Sequence, residues 1–281
     1  MIIIAESGST KTDWCILNKS TRKNTVLQSQ GLNPYFLDEK KLLIQLKIIF
    51  PPLMCSSVEY VFFYGAGCSH EEQKQKVNHL LKRIFKNALI NVETDLLAAA
   101  RGAFIKEEGL VCILGTGSNA GLYKNQQIEK SFPSLGFIFG DEGSGSHIGK
   151  KIIEDFLNNK LPSDILNSFF SSYQINYYDI IKNVYSEKYP NRYLASFSEF
   201  VYKNISNNYC KSIVYNSFED FFIKRISAFN DYKSFHIKFT GTIAYVFSNL
   251  LLKTAEKFNI KLCKNDIIKS PLKGLIKYHS F

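Results

Sequence analysis

No two of the six cysteines stand in a CxxC pair, and none has the Cys/His spacing that zinc or an iron–sulfur cluster needs. Cys15, Cys55, Cys68, Cys112, Cys210 and Cys263 are scattered, so a metal- or disulfide-stapled framework is excluded and buried thiols are expected. No run of about 18 apolar residues occurs, and residues 2–5 turn polar at Glu6 without a basic leader. Neither a membrane partner nor secretion is therefore expected, and the cytoplasm is the expected compartment. Arginine-rich runs and RNP-like aromatic motifs are also missing, although the net charge is +10. The lysines are spread along helical faces, and no nucleic-acid partner is expected.

What is present is a chain of 281 residues, 45% hydrophobic and 14% aromatic, roughly twice the length of an average domain. That is ample for a packed core and favours two lobes. Residues 2–5 form an apolar strand, followed by the polar turn 6–13 and a second strand-like run at 14–17. The same design recurs as 110–114, the turn 115–119 and 120–123, a possible internal duplication. Between them, 58–64 reads as a buried strand ending at Gly65-Ala66-Gly67. Val77, Leu80, Leu81, Ile84, Phe85 and Leu89 follow helical spacing. A short strand at 88–92 precedes a helix from Asp95 to about Phe104. From 150 to 240 there is no glycine, and Phe218, Phe221, Phe222, Ile226 and Phe229 recur at helical intervals, so that block is mostly helix. A strand at 236–239, a Gly241-Thr242 turn and a helix carrying Ile243, Val246, Phe247, Leu250, Leu251 and Phe258 follow. Strands alternating with helices make an α/β fold.

Three turns offer chemistry. Backbone amides in a glycine-containing turn can hold phosphate oxygens, and hydroxyls add donors. Both Ser7-Gly8-Ser9-Thr10-Lys11-Thr12 and Gly115-Thr116-Gly117-Ser118 fit, though neither is a Walker A loop and each alone also serves as an ordinary hairpin turn. Residues 140–146, Gly-Asp-Glu-Gly-Ser-Gly-Ser, place two carboxylates beside a flexible turn, of which helix capping explains at most one.

Read in order with the late turn, ESGSTKTDW (6–14), GTGSN (115–119), GDEGSG (140–145) and FTGTIAY (239–245) resemble the acetate and sugar kinase, heat-shock cognate and actin superfamily. The resemblance is to the branch holding N-acetylglucosamine kinases and the activating ATPases of benzoyl-CoA reductase and hydroxyacyl-CoA dehydratase. It runs from residue 2 to Leu275, with little contribution from 150 to 235.

The resemblance implies two actin-like (ribonuclease H-like) α/β lobes with a nucleotide and sugar cleft between them. Residues 1–114 would form the N-terminal lobe and 115–281 the C-terminal lobe, its last helix packing back on the first. It implies ATP and Mg2+ as cofactors, with ATP held by Ser9, Thr10, Lys11, Thr12, Gly115, Thr116, Gly117, Ser118, Gly241, Thr242 and Ile243. Asp95 matches the family's catalytic carboxylate, which takes the proton of the attacked sugar hydroxyl; an N-cap would equally explain an aspartate there. Asn33, Asn119 and Asp141 match sugar contacts, and Glu6 the metal-site carboxylate. Two departures stand out: Glu6 replaces an aspartate, and Leu135 replaces a tryptophan beside a glycine pair. The implied function is an ATP-dependent kinase of an amino sugar, with a sugar partner and a homodimeric state. An ATPase driving a partner and a non-catalytic sugar sensor are the alternatives.

Overall fold

The computed structural model describes residues 1–18, 23–36 and 38–280. The chain folds as two units, one of residues 1–107, 125–128 and 270–281, the other of 108–124 and 129–269. The expected boundary at 114/115 shifts to 107/108, because the strand Gly109–Leu114 pairs within the second sheet.

In the first unit a sheet has the order β3-β2-β1-β4-β5, from β1 (Ile2–Ser7), β2 (Lys11–Leu17), β3 (Asn24–Gln30), β4 (Tyr60–Gly65) and β5 (Leu89–Thr94). β1 to β3 form an antiparallel meander, and β4 and β5 run parallel to β1. Side chains alternate across a strand, so directly paired residues share a face. One face carries Ile3, Ala5, Trp14, Ile16, Val61, Phe63 and Val92 in the core, under the helices Glu39–Ile49 and Glu71–Lys82. Trp14 is fully buried and meets Phe50 edge-on, with ring centroids 5.3 Å apart.

The opposite face is covered by the helices Asp95–Phe104 and Leu272–His279. A Cβ on Gly274 would lie 1.8 Å from the carbonyl oxygen of Gly102, so these two helices touch backbone to backbone. His279 stacks on Phe62 at 3.9 Å and its Nε2 lies 2.8 Å from the Tyr64 hydroxyl, to which Arg101 donates at 3.0 Å. With Arg101 donating, the Tyr64 hydroxyl is left to donate to an unprotonated Nε2. Burial, helped by the Arg101 charge, accordingly lowers His279 to about 4.

The second unit repeats the design. Its sheet, β10-β9-β6-β7-β8, contains β6 (Gly109–Leu114), β7 (Ser118–Lys124), β8 (Gln127–Ser131), β9 (Ile237–Thr240) and β10 (Ile267–Ile268). β6 again pairs antiparallel with the next strand and parallel with β9. The 150–235 block is helical, as its spacing requires. Gly149 of the helix Gly145–Leu157 lets Leu194 of the helix Pro190–Lys203 approach within 1.8 Å of a would-be Cβ. The single helix expected after Thr242 is two, Thr242–Val246 and Ser248–Lys257, broken at Phe247.

Two backbones in contact have no soft atom to displace. Gly274→Ala is therefore expected to lower stability by about 1–3 kcal/mol, as overpacking does, and urea unfolding followed by tryptophan fluorescence measures it. A variant as stable as the wild type would show that the helices do not meet at Gly102.

Candidate active site

Ligands of open α/β sheets gather at the carboxyl ends of parallel strands. In the first unit those ends present a cross-strand row, Asp13–Glu6–Tyr64–Glu93, one residue each from β2, β1, β4 and β5. Lys11 pairs with Asp13 at 2.8 Å and Lys74 with Glu93 at 3.2 Å. Glu6 has less help. Burial first, then the charges of Asp13 and Asp95, raise its carboxyl from 4.5 to about 7, with Lys11 opposing. Asp13 and Asp95 are thus each within electrostatic reach of Glu6.

Asp95 opens its helix, and the capping role that would explain it otherwise belongs to the preceding residue. Thr94 Oγ1 accepts the Leu97 amide at 3.1 Å, while Asp95 Oδ1 accepts the next amide, Leu96, at 2.9 Å. Asp95 also contributes to raising the buried thiol of Cys68, pushed up to about 12 chiefly by burial. Cys68 closes the turn Gly65-Ala66-Gly67-Cys68 that follows β4. A Cβ on Gly67 (φ +81°) would sit 2.6 Å from Asn33 Oδ1, so Asn33 lies against that turn. Its Oδ1 accepts the Tyr35 amide at 3.0 Å, a turn that fixes the side chain.

The hairpin 8–11 rests on Gly31, where a Cβ would meet the carbonyl oxygens of Gly8 and Ser9 at 2.6 and 2.7 Å. Thr10 O accepts the Gly31 amide at 3.0 Å. Thr12, expected at the nucleotide, is fully buried and bonds Ser7 Oγ at 2.8 Å and Gln30 O at 3.2 Å, so it braces the hairpin from inside.

The second unit brings three of its motifs together. Ser118 N–H donates to Asp141 Oδ1 at 3.0 Å, and a Cβ on Gly117 would clash with that carboxylate at 2.9 Å. Gly145 N–H donates to Gly115 O at 2.8 Å and Ser146 N–H to Thr116 O at 3.1 Å. Gly241 (φ +117°) closes from the far side: a Cβ there would lie 2.3 Å from Leu114 O. Only glycine fits such a position. Ser118 Oγ is buried with no hydrogen-bond partner among the described residues, an open donor inside the glycine turn. Burial raises the Asp141 carboxyl despite the Ser118 hydrogen bond. Asp141, expected as a sugar contact, therefore also supports the turn.

Ile243 packs in the core and Thr242 is exposed, so of that motif the backbone at Gly241 is what borders the turn. Asn119 Oδ1 accepts the Ala120 amide at 2.9 Å. Sequence reasoning passed over the Gly65–Cys68 turn as mere strand end, and missed the Lys74–Glu93 pair and Arg225. The glycine pair directly after an apolar strand was the available signal for the first.

Among the described residues, no group of three or more His, Cys, Asp or Glu side chains is arranged to hold a metal ion. The carboxylates around Glu6 could still take a divalent cation completed by other oxygen ligands, since a cation relieves the like-charge repulsion that adds to burial in raising Glu6. No helix of the described residues is long and apolar enough to cross a membrane.

No protein-family model matches the chain. A solved structure from Porphyromonas gingivalis, named for N-acetylglucosamine kinase, is 35% identical over 100% of this chain and 99% of its own, with a TM-score of 0.91. The glucosamine kinase GspK of Vibrio cholerae is 31% identical over 93 residues, 33% of this chain and 31% of that protein. The N-acetylmuramic acid/N-acetylglucosamine kinase of Clostridium acetobutylicum is 30% identical over 128 residues, 38% of this chain and 42% of that protein. The match thus spans less than half the length of either of the two kinases.

A carboxyl raised on folding stabilises the fold while protonated. That contribution is full below pH 4.5 and is lost as pH rises through about 7. Between pH 5 and pH 8 the wild type is expected to lose roughly 1–3 kcal/mol that Glu6→Gln retains, measured by urea unfolding at both pH values. Parallel pH profiles would show that Glu6 ionises as in water.

Proposed function

As the chain belongs to the N-acetylglucosamine kinase family, with an actin-like α/β fold, we propose that it transfers the γ-phosphate of ATP to a hydroxyl of an amino sugar, N-acetylglucosamine or a related cell-wall sugar. The observation that carries this reading is Asp95, at the start of a helix whose N-cap is Thr94 and within electrostatic reach of Glu6 at the carboxyl end of β1. Phosphoryl transfer asks the protein for positioning and charge stabilisation more than for covalent chemistry.

Asp95 would accept the proton of the attacked hydroxyl, which makes the oxygen a better nucleophile as its bond to phosphorus forms. Asn33, Asn119 and Asp141 would hold neighbouring hydroxyls. A carboxylate accepts through both oxygens, so Asp141 can keep the Ser118 amide and take a sugar hydroxyl. The backbone and hydroxyls of Ser9, Thr10, Gly115, Thr116, Gly117 and Ser118 would bind phosphate oxygens, with Lys11 as a nearby cation and Thr12 bracing the turn. The orphan Ser118 Oγ gains a partner once phosphate is bound. Gly241, Thr242 and Ile243 would border the nucleoside through their backbone. Glu6 would hold Mg2+ through its carboxylate or bound water; when bound, the ion neutralises phosphate charge. A reaction that consumes ATP belongs in the cytoplasm, where ATP is held.

A coupled assay for ADP across N-acetylglucosamine, N-acetylmuramic acid, glucosamine and glucose tests the reading, with sugar-dependent release expected for an N-acetylated sugar. ADP release that needs no sugar would favour an ATPase driving a partner, and sugar binding without turnover would favour a sensor. Asp95→Asn is expected to cut kcat at least about 10²-fold while ATP affinity holds. Normal turnover in that variant would remove Asp95 from the mechanism.

A further inference from the structure

The helix Asn208–Phe221 buries Val214, Ser217, Phe218 and Phe221, and its stripe runs on through Phe222. Helical spacing carries that stripe to position 225, where an apolar side chain belongs and Arg225 stands. The backbone changes there from α to π over Phe222–Ile226, closing with the Ser227 amide donating to Phe222 O at 2.9 Å. Single π turns within helices are frequent at functional sites.

Arg225 is only 8% exposed, so its guanidinium must find partners. Nη1 donates to Pro133 O at 3.1 Å, and Nε lies 3.5 Å from Glu142 Oε2. A Cβ on Gly140 would come within 2.8 Å of Nη2. Glu142 Oε2 is buried with no hydrogen-bond partner among the described residues, which leaves Arg225 as its nearest compensating charge alongside Lys224, 3.2 Å from Oε1. One cation thus touches the loop 133–142 near its start and at both sides of Asp141.

The stretch before Gly140, which includes the short helix Gly136–Phe139, is fixed less by packing than by such polar contacts. Leu135, Ile138 and Phe139 are 51%, 64% and 78% exposed, so its apolar side chains do not anchor it by packing. Lys150 Nζ on Phe137 O at 3.2 Å is a second polar anchor, and beyond Gly140 the Ser118 amide on Asp141 Oδ1, the Ser144 amide on Asp141 O and Lys224 on Glu142 add others. Asp141 itself adopts a left-handed backbone (φ +58°), which a non-glycine residue keeps only when its neighbours hold it there.

We propose that Arg225 is a positioning residue for the sugar end of the site: it sets the 133–142 backbone and thereby the direction of the Asp141 carboxylate. This rests on the kinase reading above. The glycine turn 115–118 leans on Asp141 through the Ser118 amide but also has its own bonds to Gly145 and Ser146, so it would depend on Arg225 less than the Asp141 carboxylate does.

Steady-state kinetics with N-acetylglucosamine and ATP test the proposal. Arg225→Gln is expected to raise the sugar KM roughly ten- to a hundredfold, the scale of a displaced contact, with a smaller change in the ATP KM, and Arg225→Lys is expected to recover part of the loss. Hydrogen exchange is expected to quicken at amides 134–142 in Arg225→Gln and to stay unchanged in β6. A merely structural role would lower the thermal midpoint and scale kcat with the folded fraction, leaving both KM values alone. If Arg225→Gln does not fold, Arg225→Lys carries the same measurements. Wild-type turnover with unaltered sugar KM and unaltered exchange in the folded variants overturns the role of Arg225 alone. Absence of sugar-dependent turnover in the wild type overturns the kinase reading, and the positioning role with it.

Discussion

One buried carboxylate organises the second unit. Asp141 takes the Ser118 amide, and a charge removed from water must be matched by hydrogen bonds or nearby cations, or it protonates. That demand explains the surrounding sequence. Gly117 has no side chain because the carboxylate occupies the space, and Gly143 (φ +75°) turns the chain so that Ser144 caps the following helix. Gly145 and Ser146 then bond back to Gly115 and Thr116. Two segments separated by about twenty residues are in effect one surface.

The first unit uses the opposite device. Its acidic groups are gathered with incomplete neutralisation: Lys11 and Lys74 serve Asp13 and Glu93, while Glu6 is left in a field of like charge. A site short of positive charge is suited to bind it, whether as a cation or as a proton shared with a carboxylate. Burial alone would raise Glu6; two further carboxylates within its reach make it responsive to whatever enters.

Much of this was legible in the chain. The hairpins at 2–17 and 110–123, the Asp95 helix and the phenylalanine stripe ending at Phe229 follow from apolar spacing, since one buried face dictates its own period. β3 and β8 were not legible: Asn24–Gln30 and Gln127–Ser131 are polar and largely exposed, so neighbouring-strand pairing makes them strands. Position 225 broke the stripe with a charge whose partners lie more than eighty residues earlier, at Glu142 and Pro133. Periodicity cannot see such a pairing. Thr94 and Asp95 were ambiguous for a related reason: either residue can cap a helix, and only the hydrogen bonds decide. The resting of Asn33 on Gly67 was not legible, since it depends on a loop whose path no local pattern specifies.

The helix Leu272–His279 completes the first unit although residues 108–124 and 129–269, the whole of the second, are made before it. A ribosome therefore releases the opening strands with that helix's sheet face covered by the helix Asp95–Phe104 alone until residues 272–279 follow. Apolar Ile4 and Phe62 on that face would need a temporary cover during synthesis, and the nascent protein would be most exposed to aggregation or chaperone capture then.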